Sequence, residues 1–278
     1  MSRRLIIGAA VAICLLVCMV LLAGEYPQWN PKVASVLAAL PATELGETLL
    51  TSSGQSGAAV GAFDSYAFAQ VWANSYCNSH CTDEQCTNKS GTYQEQNLTI
   101  HGLWPQYNDA SAHGGFGYPQ FCGNFSVCNV PFASMPATCL PAKSSLNFEQ
   151  FEIYEPGYTS GNYFLADHEW PKHGSCSGLS QASYFNQALS LEKQLELDAS
   201  KVWAGQSGKS VSLATVVAAY GGANMVSLTC YKGALQQVLT CWGKDALGNP
   251  STRTPCPSTV SPSNCPAAIS LPLCTCSI

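Results

Sequence analysis

Within the segment ADHEWPKHGSC, residues 166–176, the six residues from His168 to His173 hold four ionisable side chains suited to acid–base chemistry. Two of them are among the five histidines of a 278-residue chain in which only 10% of residues are charged. On an α-helix, Glu169 and His173 are spaced i, i+4 and share a face, and His168 and Lys172 form a second such pair on an adjoining face. A carboxylate raises the basicity of a neighbouring imidazole, and an ammonium group holds an anion. The segment therefore predicts a site for a phosphate ester.

Such a site needs a partner for His173 from another part of the chain, because the reaction requires an acid and a base at once. The candidate is His101, which lies in the segment NLTIHGLWPQ, residues 97–106. Apolar and β-branched residues predict a short strand there. The flanking Gly102 and Trp104 would give the imidazole room and an aromatic floor.

Two other interpretations of the 166–176 segment compete with acid–base catalysis. A zinc-protease motif needs histidines four apart on one helix face, but His168 and His173 are five apart, which is roughly 140° around an α-helix. This spacing argues against a metal, and no cofactor is expected. The other interpretation is structural: Asp167 would cap a helix whose start tolerates Pro171. It leaves unexplained the tryptophan among the charges and the glycine after the second histidine.

The first 24 residues predict a targeting segment. Arg3 and Arg4 form a positive start, and residues 5–24 are uncharged and mostly apolar. Signal-peptide cores usually hold about 7–15 residues, whereas a spanning helix needs roughly 20. The apolar run is long and the cleavage site at residues 21–23 is poor. Two alternatives therefore stay open: a cleaved signal peptide, and a membrane anchor through residues 5–24. Both place the rest of the chain in the lumen or outside the cell.

The cysteines agree with an oxidising compartment. Of the 15 cysteines, Cys14 and Cys18 lie in the apolar segment, which leaves 13 without the paired C-x2-C spacing of a zinc module. Their number and scatter predict a disulfide-stapled domain. Because 13 is odd, at least one cysteine is free or pairs between chains. Sequons at Asn88, Asn97 and Asn124 fit a secretory route.

Composition and charge restrict the classes of partner. Hydrophobic residues make up 46% of the chain, which argues against a disordered protein. The formal net charge is −5, and without Arg3 and Arg4 it is −7. Proteins that hold nucleic acid by bulk electrostatics carry a basic patch. Any nucleic-acid contact must therefore be local, or be made at acidic pH, where histidines are charged.

The order of patterns along the chain predicts a linker over residues 25–61 and one catalytic domain over residues 62–278. The domain is expected to be α+β, with a central, mostly antiparallel sheet packed with helices. A Pro-, Ser- and Cys-rich tail from residue 248 is expected to be pinned by disulfides. The predicted elements are strands at Phe63–Cys77, Asn97–Gln106 and Gln236–Trp242, helices at Leu146–Gly157 and Ala182–Leu197, and an element of either type at Val211–Gly221.

Taken together, the two histidine segments resemble the T2 family of ribonucleases. LTIHGLWPQ resembles the first catalytic segment of that family, and HEWPKHGSC resembles the second. FDSYAFAQVWANSYC resembles its opening strand, and TCYKGALQQVLTCW followed by TPCP resembles its closing strands and cysteines. The resemblance covers roughly residues 62–278. It implies a monomeric endoribonuclease of low base specificity, extracellular or in an acidic lumen such as a lysosome or vacuole, that cleaves single-stranded RNA but not DNA.

The resemblance also implies roles for four catalytic residues. His173 would take the proton from the ribose 2′-OH, and His101 would protonate the leaving 5′ oxygen. Glu169 and Lys172 would stabilise the five-coordinate phosphorus. The products would be a 2′,3′-cyclic phosphate and then a 3′-phosphate, formed without a metal, at an optimum on the acidic side of neutral.

Two further residues would bind substrate by the same resemblance. His168 would hold the phosphate, and Trp104 would offer an aromatic surface on which a base stacks. The family commonly has a glutamine directly before the tryptophan of the first strand, but here Val71 fills that position and Gln70 lies one residue earlier. Gln106 follows HGLWP, where some members have a carboxylate or an asparagine. Base preference is therefore left open.

Disulfide pairings are implied in the same way. The expected pairs are Cys176 with Cys122 or Cys128, Cys241 with Cys256, and Cys230 with a cysteine of the tail. Two other functions remain possible: a catalytically silent RNA-binding or structural protein that keeps the fold, and an unrelated disulfide-rich surface protein.

Overall fold

The computed structural model describes residues 53–87, 91–160 and 163–276. The predicted targeting segment, most of the predicted linker and the sequon at Asn88 lie outside these residues. Within the described ranges, no helix has both the length and the apolar character needed to span a membrane.

The strands of the described residues form one large sheet and one small one. They are β1 (Gly54–Ser56), β2 (Ser65–Val71), β3 (Thr99–Gln106), β4 (Tyr118–Gln120), β5 (Ser210–Ser212), β6 (Val226–Tyr231), β7 (Ala234–Lys244), β8 (Pro250–Thr254) and β9 (Ala268–Ser270). The large sheet has the order β3-β2-β7-β9-β5, with β6 and β8 also paired to β7. Its pairs are antiparallel except for a short parallel contact between β7 and β9. The predicted α+β fold with a mostly antiparallel sheet is confirmed.

The helices pack against this sheet. They are α1 (Ala73–Cys77), α2 (Tyr93–Gln96), α3 (Phe148–Tyr154), α4 (Phe164–Glu169), α5 (Ser175–Ser177), α6 (Gln181–Leu197) and α7 (Leu213–Ala219). A π-helical turn, Trp170–Gly174, joins α4 to α5. The apolar stripe of α6 forms the predicted long helix, and α3 is a shorter version of the predicted helix at 146–157. The segment at 211–221, which the sequence predicts as either a strand or a helix, is mostly helix α7.

The predicted strand at 63–77 is correct only in its first half. From Ser65 to Val71 the chain pairs with both β3 and β7. The pairing with β3 ends where Val71 lies opposite Thr99. Beyond that point the alternating pattern has no neighbouring strand on that side, and the chain turns into α1.

The core lies between the sheet and the helices and is rich in aromatic side chains. Two tyrosines fix β3 by hydrogen bonds to its backbone: the hydroxyl of Tyr158 donates to the carbonyl of His101 at 3.1 Å, and that of Tyr184 donates to the carbonyl of Leu103 at 2.7 Å. Both tyrosines are fully buried. The strand that carries His101 is therefore held rigidly against the helical layer.

Residues 54–61, which the sequence pattern assigns to the linker, belong to the folded domain. β1 pairs in parallel with β4. The N–H of Gly61 donates to the carbonyl of Cys176 at 2.9 Å, and Ala58 is buried beside the Cys122–Cys176 bridge. The small size of Gly and Ala lets this segment lie flat on the domain, so a composition typical of linkers is here part of the packing.

Six disulfides staple the described residues: Cys77–Cys86, Cys81–Cys276, Cys122–Cys176, Cys128–Cys139, Cys230–Cys265 and Cys241–Cys256. Cys122 is the partner of Cys176, and the other two implied pairings are confirmed. Three of the bridges reach cysteines beyond residue 248, as predicted for the tail. Within the same ranges, Cys274 has a free thiol.

Candidate active site

A β-bulge in β3 positions His101. Ala69 of β2 lies opposite Gly102, but the next residue, Gln70, lies opposite Ile100. His101 is therefore the extra residue of β3 and has no partner on β2. Bulges redirect side chains and are common next to active sites. The carbonyl of His101 is fixed by Tyr158, and its ring faces the helix that carries the second histidine segment.

The π-helical turn brings His168 and His173 to the same side of that helix. Their ring centroids are 6.4 Å apart, and ligand atoms of His168, Glu169 and His173 all lie within 4.8 Å of one another. The predicted separation of roughly 140° is wrong because it assumes an α-helix. In a π-helix the backbone bonds join residues five apart, and the N–H of Ser175 points to the carbonyl of Trp170.

Pro171 lies inside this helix rather than at its start. Helix α4 begins at Phe164, so Asp167 lies within it and is not the cap that the structural interpretation requires. Proline lacks an N–H and its ring clashes with a carbonyl in the preceding turn. The wider π turn accommodates the ring. The hydroxyl of Ser175 then donates to the carbonyl of Pro171 at 2.7 Å.

Glu169 lies at the centre of the site. Its Oε2 accepts a hydrogen bond from Nε1 of Trp104 at 2.8 Å, and its Oε1 is 3.7 Å from Nε2 of His101. A Cβ added to Gly102 would overlap Oε2 of Glu169. Glycine is therefore required at this position, because the carboxylate occupies the space of a side chain.

Trp104 lies between the two catalytic candidates. Its ring centroid is 5.3 Å from that of His101, edge to face, and 5.3 Å from that of His173, with the planes at 29°. Lys172 is buried next to His173, and its charge adds to the effect of burial in lowering the pKa of that imidazole. The structure thus brings all six predicted site residues together, although they come from two distant segments.

Gln237 is a site residue that the sequence interpretation missed. Its Nε2 is 3.0 Å from Nδ1 of His101, and its side chain is buried on β7. The second nitrogen of an imidazole needs such a partner to fix the tautomer and the ring plane. The sequence signal for this role is the amide of Gln237 at the start of the mostly apolar run QVLTCW. A buried amide needs a hydrogen-bond partner.

One disulfide ties the wall of the site to the helix. Cys122, just after β4, is bonded to Cys176 in α5. The N–H of Phe121 donates to the carbonyl of Lys172 at 2.9 Å, and the ring of Tyr118 lies 6.0 Å from that of His173. The strand β4 and the π turn therefore form one covalently joined unit.

Sequence comparison decides the family. The model of the Ribonuclease T2 family matches residues 63–249, more than half of the chain. The chain belongs to the ribonuclease T2 family. Ribonuclease DdI of Dictyostelium discoideum is 27% identical over 226 residues, which cover 75% of this chain and 89% of that protein. Ribonuclease 1 of Arabidopsis thaliana is 32% identical over 158 residues, 55% of this chain and 61% of that protein. The match thus spans less than two thirds of the Arabidopsis relative.

The fold agrees with a solved structure. Trichomaglin, described as an S-like ribonuclease, has a TM-score of 0.52 and 22% identity, with 76% of this chain and 98% of that chain covered. At this level of identity the likeness concerns the fold alone. The sheet and the helices that carry the site therefore have the same arrangement as in that solved structure.

Trp104 of this T2-family chain is 1% exposed and lies among Ala67, Ala69 and Leu239 as well as the two imidazoles. Its indole N–H holds the carboxylate of Glu169, and its ring packs against His173. These contacts do not test the stacking of a base on this ring, which stays a prediction.

The glutamine next to the first-strand tryptophan is also used differently. The side chain of Gln70 is fully buried and donates to Oε2 of Glu192 at 2.8 Å. It belongs to the core beside α6 rather than to a surface open to substrate. Val71, which fills the usual glutamine position of the T2 family, cannot replace its amide.

Burial shifts the pKa of the ionisable site residues away from their charged forms. It lowers the pKa of His101 to about 3 and that of His168 to about 4, and it holds the pKa of His173 well below its usual range. The pKa of the Glu169 carboxyl is raised well above its ordinary value. Burial lowers the pKa of Lys172 to about 8, so this ammonium remains charged in acid.

Proposed function

We propose that the chain is an endoribonuclease that cleaves single-stranded RNA by transphosphorylation, without a metal cofactor. The observation that carries this proposal is the arrangement of two imidazoles from separate segments on either side of Trp104, next to one carboxylate and one ammonium group. A reaction that removes one proton and supplies another needs two such groups. Membership of the T2 family supports RNA as the substrate.

His173 acts as the base in the first step. Its Nδ1 has no hydrogen-bond partner among the described residues, and its lowered pKa keeps the ring neutral in mild acid. The 2′ oxygen loses its proton to His173 and forms a bond to phosphorus. DNA lacks this hydroxyl and cannot react in the same way.

His101 acts as the acid in the same step. The bond between phosphorus and the 5′ oxygen breaks, and that oxygen takes a proton from His101. Gln237 fixes the His101 ring at Nδ1, which leaves Nε2 on the side of Glu169. In the second step the roles reverse: His101 takes a proton from water, which opens the cyclic phosphate to a 3′-phosphate.

Lys172, Glu169 and His168 interact with the charged phosphate group. Lys172 is cationic below its pKa of about 8 and stabilises the oxygens of the five-coordinate phosphorus together with Glu169. His168 is half-buried, whereas the four catalytic residues are buried. It is therefore the member of the group placed to meet an incoming phosphate.

The pH optimum is expected on the acidic side of neutral. Activity requires protonated His101, and because burial lowers its pKa the protonated fraction falls as the pH rises. Activity also requires neutral His173, whose lowered pKa keeps it neutral at acidic pH. Binding of the phosphate anion raises both pKa values, because it favours imidazolium. The six disulfides support a secretory compartment, extracellular or an acidic lumen.

The test uses the disulfide-bonded protein with single-stranded RNA in chelator across pH 4 to 8, and DNA of the same sequence as control. We expect cyclic phosphate ends from RNA alone, with most activity below neutral pH. The variant His173→Ala should lose cleavage but keep its circular dichroism spectrum, while His113→Ala, in a short 3-10 helix outside the site, should keep both. A folded protein that cleaves no RNA at any pH would instead be a catalytically silent member of the family.

A further inference from the structure

A short segment, residues 53–62, runs along one wall of the active site and is called the N-terminal strap below. It precedes residues 63–249, which the family model matches. Its strand β1 pairs in parallel with β4, and these two strands form a sheet of their own. Among the described residues, β4 has no other strand partner. The strap, rather than the large sheet, therefore supplies the strand pairing that holds β4.

The strap approaches β4 closely at Gly54, which lies opposite Tyr118. A Cβ added to Gly54 would lie 2.5 Å from Cε2 of Tyr118 and 2.6 Å from Cδ of Gln120. The ring of Tyr118, which is 5% exposed, thus fills the space that a side chain at residue 54 would need. The centroid of the same ring lies 6.0 Å from that of His173. Tyr118 therefore connects the strap to the proposed base.

Hydrogen bonds fasten the rest of the strap to both sides of the wall. The N–H of Gly123, which follows β4, donates to the carbonyl of Ala58 at 3.0 Å. The N–H of Gly61 donates to the carbonyl of Cys176 in α5 at 2.9 Å. Nζ of Lys244 donates to the carbonyl of Gly61 at 2.9 Å and anchors the end of the strap to β7. The strap therefore reaches from β4 to the helix that directly follows the π turn.

The wall in turn contacts the π turn at two points. The N–H of Phe121 donates to the carbonyl of Lys172 at 2.9 Å, and the ring of Tyr118 packs against that of His173. A second aromatic neighbour of His173, Trp104, belongs to β3 of the large sheet and does not contact β1 through strand pairing. A shift of β4 would therefore move Tyr118 relative to the rest of the site.

We propose that the N-terminal strap positions the general base: the absence of a side chain at Gly54 lets Tyr118 lie against His173, and this contact sets the place of the imidazole. The proposal rests on the ribonuclease function proposed above. Gly54 is a positioning residue, because it acts through Tyr118 rather than on the reacting atoms. It follows that an active chain keeps residues 53–62 after any processing of its N-terminus.

The first test is Gly54→Ala in the full, disulfide-bonded chain. The new methyl displaces the Tyr118 ring, so we expect kcat on a dinucleotide substrate to fall roughly 10- to 100-fold, the upper figure being the cost of a misplacement of about 1 Å. KM should change little. Ala59→Ser, at an exposed residue of the same strap, is the matched control and should leave both parameters unchanged. An unchanged kcat in Gly54→Ala, or full activity of a chain that begins beyond residue 62, would overturn the proposal.

A double variant shows whether the effect passes through Tyr118. Tyr118→Leu removes the ring that the new methyl would displace, and should itself lower kcat. Gln120→Ala is included throughout, because Gln120 is the other side chain near that methyl. Substitutions that share one contact are not additive, so adding Gly54→Ala to this background should change neither kcat nor thermal stability.

This comparison holds even where Gly54→Ala alone does not fold, since the background lacks the overlap. A further loss of kcat or of stability on adding Gly54→Ala would show that the strap acts in another way, and would reject a role through Tyr118.

A measurement without RNA separates this proposal from the ribonuclease function. The chain has five histidines, so its imidazole NMR signals are few and can be assigned by substitution. Gly54→Ala should shift the signals of His173 and leave those of His80, which stacks on Tyr76 of α1, in place. Unchanged His173 signals would contradict the positioning role, whether or not the protein cleaves RNA. Shifted signals in a protein that cleaves no RNA would support the hold of the strap on His173 and count only against the proposed reaction.

Discussion

At the scale of single residues, we expect Trp104 to position Glu169 through its indole N–H. Replacement by phenylalanine keeps an aromatic ring but removes the hydrogen bond to Glu169. A buried group left without its partner costs about 1–3 kcal/mol, so we expect kcat to fall roughly 10- to 100-fold with little change in KM. Steady-state kinetics on a dinucleotide substrate measures both parameters.

Trp170→Phe is the matched control, because the buried indole N–H of Trp170 has no hydrogen-bond partner in the part of the chain that the structure describes. It should leave kcat nearly unchanged. If Trp104→Phe instead raises KM and spares kcat, the indole contacts the substrate and does not position the carboxylate.

Gln237 is expected to position the acid. Gln237→Leu has a similar size but leaves Nδ1 of His101 without its partner. We expect kcat to fall at least about 10-fold, since the cost of an unpaired buried nitrogen is about 1–3 kcal/mol. Gln236→Leu changes the preceding amide, which bonds to a backbone carbonyl away from the site. Equal activity of the two variants would show that Gln237 has no role in the reaction.

At the scale of elements, the strand β3 and the helix α4 approach so closely that a side chain at Gly102 would displace Glu169. In Gly102→Ala the new methyl would overlap the carboxylate of Glu169. We expect loss of most activity with a retained fold, because the displaced carboxylate belongs to the site. Thermal unfolding and RNA cleavage, measured together, check this. Cleavage at the unmodified rate would mean that Glu169 can shift at no cost to the reaction.

Some helices and strands of this fold could be predicted from the sequence, and others could not. The stripe of α6, the strand at 97–106 and the antiparallel class follow from patterns in the chain, and both histidine segments were found by residue type and order. The π turn and the bulge at His101 were not predictable. Each contains one residue more than the regular repeat of an α-helix or a β-strand. Pro171 is the local signal for the former, but proline alone does not distinguish a π turn from a helix start.

At the scale of the whole molecule, a buried carboxyl outside the site couples stability to pH. Glu192 is fully buried between Gln70 and Tyr93, near Glu155 and Glu196, and burial raises its pKa to about 8. The folded state therefore favours the protonated form. The stability it contributes is complete below about pH 4.5 and is lost as the pH rises through about 8.

Glu192→Gln should remove this dependence, since an amide resembles the protonated carboxyl. We expect the variant to match the unmodified protein at pH 4 and to exceed its free energy of unfolding by roughly 3 kcal/mol at pH 7, at about 1.4 kcal/mol for each pH unit above 4.5. Denaturant unfolding at both pH values tests this. Glu196→Gln, on the same helix but half-buried, is the control, and an equal gain in it would point to net charge rather than to Glu192.

The bridge between Cys122 and Cys176 makes the site depend on folding in an oxidising compartment. It holds β4 against the π turn, and loss of such a bridge typically costs about 2–5 kcal/mol. A chain that folded in a glutathione-rich compartment would keep both cysteines reduced. The wall beside His173 would then loosen. Under the proposed ribonuclease function, cytosolic RNA is therefore protected, because the site would be least well formed in the compartment that holds most of that RNA.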